Sequence, residues 1–122
     1  MTDRWTVFAA LRQMTDIPES ERAQATAVCD AALAETRARL RRGADETDPR
    51  FIRAAAATAL YRLALKKSMD DADIAEFRAG DVKVRRDADS LIKTAATVRD
   101  EAEAAAAALF ADTHFWFRGV RG

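Results

Sequence analysis

Asp48-Pro-Arg-Phe-Ile-Arg-Ala-Ala-Ala-Ala-Thr-Ala-Leu-Tyr-Arg-Leu-Ala-Leu65 is the stretch that decides the fold of this 122-residue chain. Asp48 can cap the free amides of a helix, and Pro49 fits the first turn without losing a needed donor, so a helix is expected to begin here. From Ala54 to Tyr61 the segment carries no charge on any face, and leucines follow it. A helix that is apolar nearly all round is buried, which predicts that this one is central.

The rest of the chain favours helices as well, because glycine and proline number only four and two and alanine is abundant. One helix is predicted from about Thr2 to Met14, a second from Glu19 to Arg42 with Gly43 as its left-handed C-terminal cap, and a last one from Asp87 to Ala111. The predicted class is all-α: a single domain over residues 1–122, built as a small bundle of about four helices around the central one.

The last helix carries a narrow apolar seam built largely of alanine. Alanine permits close helix approach but supplies little burial per turn, so this helix is expected to need either the third helix or a partner outside the chain. The predicted seam positions are Ala88, Leu91, Ala95, Val98, Ala102, Ala105 and Leu109.

The segment before the last helix lacks the helical pattern of the rest of the chain. Lys66-Lys67 are expected to end the third helix, and Ser68 to Ala79 is predicted to be a loop or a single weak turn. Alternating apolar and basic residues after Gly80-Asp81 then predict an exposed strand or hairpin near residues 77–86. A lone strand has no sheet to join, so its backbone would pair within a hairpin, with water or with a neighbouring copy. The residues predicted for this inter-subunit or channel loop are Phe77, Gly80, Asp81, Val82, Lys83, Val84 and Arg85.

The end of the chain, residues 113–122, is predicted to be an extended aromatic tail. Each of its three consecutive aromatic side chains could remove about 150–250 Å² from water, so the cluster needs a surface to cover it. Two alternatives follow: the tail closes the core of its own domain, or it docks on another subunit. The residues predicted to bind a partner are Phe115, Trp116, Phe117, Arg118 and Arg121.

Composition restricts the classes of function. The 20 basic and 20 acidic residues balance, so nothing draws the chain in bulk to nucleic acid or to an anionic membrane. The single cysteine, Cys29, falls at an apolar helical position and is predicted to be a small core residue in a reducing compartment. No apolar run is long enough for a signal peptide or a membrane span, which predicts a soluble, cytoplasmic chain.

No group of residues predicts catalysis, a cofactor or a metal. His114 is the only histidine, and the glycines stand singly, so neither a histidine-paired nucleophile, a usual zinc site nor a phosphate loop is expected. The acidic segment from Asp70 to Glu76 lacks the glycine and the bidentate glutamate of an EF-hand, and it is interpreted as solvated. A small enzyme or ligand-binding bundle would need a polar pocket, for which Thr36, Thr58 and Tyr61 are too few. The chain is expected not to be an enzyme.

A cluster of arginines offers an alternative function. It would suit a small helical DNA-binding regulator, although the acids nearby weaken its attraction for phosphate. The cluster comprises Arg37, Arg39, Arg41, Arg42, Arg50 and Arg53.

Three segments in order carry a resemblance to a known family: Gly43-Ala-Asp-Glu-Thr-Asp-Pro-Arg50 before the apolar helix, Phe77-Arg-Ala-Gly-Asp-Val82, and Phe117-Arg-Gly-Val120 after an alanine-rich helix. Over residues 19–120 the chain resembles the small head–tail connector (adaptor, head-completion) proteins of long-tailed bacteriophages and prophages. The resemblance implies a structural subunit without catalytic residues.

The partners that the resemblance implies are those of a connector. Such a subunit forms a ring, dodecameric in that family, beneath the portal protein in the virion. It contacts the next head-completion or tail protein, lets DNA pass without sequence specificity, and is made in the bacterial host cytoplasm. A ring would also complete the strand, the alanine seam and the aromatic tail, because each subunit in it both offers and receives a surface.

Overall fold

The computed structural model describes residues 2–77 and 82–111, with side chains for 2–69 and 89–111. Its α-helices are α1 (Arg4–Met14), α2 (Arg22–Ala38), α3 (Pro49–Phe77) and α4 (Val82–Ala105), and single 3₁₀ turns cover Glu19–Glu21 and Ala107–Leu109. The described residues form no strand, which confirms an all-α bundle of four helices.

A short connection, residues 15–21, separates α1 from α2. The Asp3 carboxylate accepts the amide N–H of Thr6 at 3.0 Å and caps α1, which therefore begins two residues later than predicted. Pro18 separates α1 from the 3₁₀ turn that leads into α2. α1 and α2 pack on each other and on α3, and their buried apolar side chains include Phe8, Leu11 and Leu33.

α2 ends at Ala38 rather than at Arg42. Gly43 does take a left-handed conformation, with φ 85°, but it lies in the turn beyond the helix and is not its cap. The physical reason is a competing pairing: the backbone of Arg39 and Arg41 is hydrogen-bonded to the chain beyond α4, so these residues cannot continue the helix.

α3 is the central helix, as the sequence predicted. The Asp48 carboxylate accepts the amide N–H of Arg50 at 2.9 Å, and Pro49 is the first helical residue. Phe51 is fully buried, as are the alanines of the run from Ala54 to Ala57. α3 is in contact with each of the other three α-helices.

The prediction for the middle of the chain is wrong in two places. α3 does not end at Lys67 but continues to Phe77, so residues 68–77 are helix and not a loop. Residues 82–85, predicted as a strand, form the first turn of α4. A helix satisfies backbone donors within itself, whereas a four-residue alternation with no sheet to join leaves them unpaired. Gly80 and Asp81 lie outside the described residues.

α4 packs chiefly against α3, so the third helix is the support that its thin seam requires. Ala95, Ala102 and Leu109 are buried as predicted, but Ala105 is exposed and Ala106 is buried in its place. The helix ends at Ala105, six residues earlier than predicted, and a 3₁₀ turn then carries the chain back towards the loop between α2 and α3.

Candidate functional site

The loop between α2 and α3, residues 39–48, holds the beginning of the chain in place. Thr2 donates its amide N–H to Glu46 Oε1 at 2.9 Å and its hydroxyl to the Glu46 carbonyl at 2.5 Å. The guanidinium of Arg37 donates to the Thr2 carbonyl at 2.6 Å and lies 3.2 Å from the Glu46 carboxylate. These bonds fix the start of α1 against the base of the bundle.

The same loop holds the chain beyond α4 through a backbone pairing that we call the C-terminal clamp, formed by residues 39–41 and 109–111. The amide N–H of Arg41 donates to the Leu109 carbonyl, and that of Ala111 donates to the Arg39 carbonyl, each at 2.9 Å. Between them, Leu40 and Phe110 form an antiparallel bridge.

Two arginine side chains reinforce the clamp. Arg39 forms an ion pair with Glu103 at 2.8 Å and lies over the Phe110 ring, 4.5 Å from its centroid. Arg41 donates its Nε–H to the Ala108 carbonyl at 2.7 Å. Phe110 is only 8% exposed, so the clamp also completes the apolar core at this end.

The clamp sets the position and the direction in which the chain leaves the bundle. Because the pairing is antiparallel, residues 109–111 run from Arg41 towards Arg39 and so towards the end of α2. The predicted partner-binding residues follow directly, but Phe115, Trp116, Phe117, Arg118 and Arg121 all lie outside the described residues. Their binding role stays a prediction.

The arginine cluster is largely engaged in contacts within the chain. Arg37, Arg39 and Arg41 make the contacts given above, and Arg50 pairs with the Asp48 carboxylate at 2.9 Å. The Arg50 contact lowers the pKa of Asp48, and the Asp48 carboxylate in turn raises the pKa of Arg50. Engaged guanidinium groups are poorer ligands for a nucleic-acid phosphate than solvated ones.

The acids of the loop are also held in their charged form. The hydroxyl and the amide of Thr47 lower the pKa of Asp45. The amide of Thr2, assisted by Arg37, lowers the pKa of Glu46. The loop therefore presents fixed negative charges beside its arginines.

An open groove lies between α4 and α1, and α3 forms its floor. It encloses about 670 Å³, and sequence analysis did not predict it. The side chains that form its walls are mostly apolar or uncharged, and Arg53 is the charged member of the lining. The others include Ala10, Met14, Ile52, Leu60, Leu91, Thr94, Ala95 and Val98.

A smaller cavity of about 130 Å³ continues the groove towards the start of α2, and the two share Thr15, Leu60 and Leu91. Asp16 and Glu21 line this cavity together with Lys67. An apolar groove therefore ends beside two carboxylates.

The polar residues in the described part of the core are engaged in contacts with nearby groups. The hydroxyl groups of Thr36 and Thr58 donate to carbonyls one turn earlier, at 2.7 and 2.9 Å, and Arg99 lies 4.0 Å from the centroid of the Tyr61 ring. Burial raises the pKa of the Cys29 thiol to about 11, which disfavours the reactive thiolate. Among the residues that the structure describes, no three His, Cys, Asp or Glu side chains are grouped to bind a metal ion.

None of the described helices has the length and apolar character needed to cross a membrane.

A comparison with protein-family models, curated proteins and solved structures gives no match to this chain.

Proposed function

We propose that the chain is the structural subunit of a phage head–tail connector. The observation that carries this proposal is the C-terminal clamp, followed by an aromatic and basic tail. Four backbone and side-chain contacts fix the point at which the chain leaves the bundle, as expected for a segment that is delivered to a partner. The resemblance of three sequence segments to connector proteins supplies the identity of that partner.

In this proposal the subunit assembles as a ring beneath the portal protein, dodecameric if it follows the family. The ring extends the DNA channel, through which DNA passes without sequence specificity, and offers an attachment surface to the next head-completion or tail protein. The subunit acts in the virion after synthesis in the host cytoplasm. It has no enzymatic turnover, needs no cofactor or metal and uses no membrane.

The tail is the proposed attachment element. Buried aromatic and arginine side chains dominate the energetics of protein interfaces, and truncating one at a well-packed centre can cost about 2 kcal/mol or more. Phe115, Trp116 and Phe117 would form that centre, while Arg118 and Arg121 would supply charged hydrogen bonds at the rim.

Deletion of residues 115–122 tests the proposal. The shortened chain keeps the clamp, so we expect it to retain its helical circular dichroism and most of its thermal stability. Light scattering, on the protein alone and mixed with a portal protein, should show that ring assembly or portal attachment is lost. The matched control deletes only Gly122, which keeps the aromatic cluster and both arginines and should preserve the assembly.

Two results would count against this role. If the deletion unfolds the chain, the tail closes the core of its own domain. If the shortened chain still joins rings and the portal normally, the tail is not the attachment element.

The alternative, a small helical DNA-binding regulator, has less support because Arg37, Arg39, Arg41 and Arg50 are engaged within the chain. Retardation of short duplex DNA that weakens steeply with salt would favour it over the connector.

A further inference from the structure

The groove between α1 and α4 is an apolar surface for which the described residues provide no cover. α1 contacts α2 and α3, and α4 contacts chiefly α3, so the two helices that form the walls are held apart. Leu91 is 37% exposed there, although it was expected on the buried seam. Pockets of about 300–1,000 Å³ are the size that usually binds a compact apolar ligand, and this groove falls within that range.

The tail has the composition that this surface requires. Three consecutive aromatic residues suit the larger, apolar part of the groove. Arg118 follows them directly, and Arg121 follows three residues later. Asp16 and Glu21 line the smaller cavity at the groove's end, with Lys67 as the one basic side chain beside them. A tail whose aromatic residues lie in the groove would therefore bring its two arginines towards two carboxylates.

The length of the tail also fits. Residues 115–117 in extended conformation cover roughly 10 Å, and the next four residues add about 13 Å. From Pro49 to Lys67, the residues of α3 that line the groove and the cavity span about 27 Å at the helical rise. The aromatic and basic parts of the tail together match that length.

The proposed ring, and not the clamp alone, indicates which copy receives the tail. At Ala111 the chain runs towards the end of α2, on the side of α4 where Arg39 meets Glu103. The groove lies between α4 and α1, and its lining includes Pro49 at the start of α3. In the proposed ring each copy both offers and receives a surface, which favours the groove of a neighbouring copy as the one that receives the tail.

We infer that the tail of one copy, through Phe115, Trp116 and Phe117, docks in the α1–α4 groove of the next copy. This inference rests on the proposed ring, because a heterologous contact of this kind, repeated around an axis, closes a ring. It assigns the tail to the contact between copies and leaves the portal to other surfaces.

Photo-crosslinking in the full-length protein tests the inference directly. The variant Trp116→p-benzoylphenylalanine is prepared in a light and a heavy isotopic form, and the two forms are mixed in equal amounts. The mixture is irradiated and digested, and mass spectrometry identifies the crosslinked peptides. We expect crosslinks to Met14 and to residues around Leu91, with about half of them joining light to heavy peptides, as random mixing of equal amounts gives for contacts between copies. Crosslinks within single copies, to a different surface, or absent from assembled protein would each overturn the inference.

A matched pair of threonines in α4 gives an independent test. Thr94 lines the groove and Thr97 does not, while both are exposed and donate their hydroxyls to carbonyls one turn earlier, at 2.9 and 3.0 Å. We expect Thr94→Arg to weaken self-association about tenfold or more in sedimentation measurements, with Thr97→Arg unchanged. Equal effects of the two variants on self-association would overturn the inference.

The two proposals fail in different ways. If Thr94→Arg still forms rings and joins the portal, the docking site is wrong and the connector function stands. If the unaltered protein neither forms rings nor joins a portal, the connector function fails, and the docking site fails with it.

Discussion

Single residues can set where a helix begins, and the start of α3 was the most predictable boundary in the chain. Asp48 and Pro49 mark the start of α3 because their chemistry is local: a carboxylate that caps amides and a ring that fits the first turn. The bonds from Thr2 to Glu46 span 44 positions of sequence. Nothing near either residue predicts such a contact, because it depends on how the finished helices pack.

The Asp48 cap gives a prediction at this scale. Replacing Asp48 with alanine removes the acceptor for the Arg50 amide, so we expect the free energy of unfolding in urea to fall by about 1 kcal/mol. Asp48→Asn is the control, since asparagine caps nearly as well and loses only the ion pair with the Arg50 side chain. Equal losses in the two variants would show that the ion pair, and not the cap, stabilises this end of α3.

At the scale of the helix, the apolar pattern predicted which helices exist better than it predicted where they begin and end. The uncharged run in α3 identified the central helix, because burial on all sides requires such a run. The sequence did not predict that α3 continues to Phe77, because the acidic residues after Lys67 indicated a loop. It did not predict that α4 begins at Val82, because a short alternation of apolar and basic residues indicated a strand. A local pattern of a few residues cannot show that a long partner helix lies alongside.

Two adjacent alanines near the end of α4 make the packing of that helix testable. Ala106 is fully buried and Ala105 is exposed, the reverse of the predicted seam at this point. Ala106→Leu inserts three carbons into filled space and should lower the free energy of unfolding by about 1–3 kcal/mol. Ala105→Leu adds the same group at the surface and should change it by no more than about 0.5 kcal/mol. If thermal or urea unfolding shows a larger loss of stability for Ala105→Leu than for Ala106→Leu, Ala105 lies on the buried seam as the sequence predicted.

At the scale of the whole molecule, the all-α class followed from composition, and the features that suggest a function did not. The C-terminal clamp joins residues about 70 positions apart and leaves no trace in helix periodicity. The groove is a gap between α1 and α4, and a gap is a property of packing that no single segment encodes. The tail is the reverse case: its aromatic residues are plain in the sequence, and their partner remains a prediction.

The clamp separates two explanations of the aromatic tail, because it shows which aromatic residue near the end of the chain covers the core. Phe110 is 8% exposed, bridges to Leu40 and lies under Arg39. Phe110→Ala should therefore lower the free energy of unfolding by about 3–5 kcal/mol, as for other buried phenylalanines. Phe115→Ala, measured at a concentration where the protein is monomeric, should change it by no more than about 0.5 kcal/mol if the tail serves a partner. The same variant should weaken self-association, as expected for an aromatic anchor in an interface. A large loss of monomer stability in Phe115→Ala would mean that the tail closes its own core. Because Phe110 already covers the core at this end, we expect the stability of the monomer to be nearly unchanged.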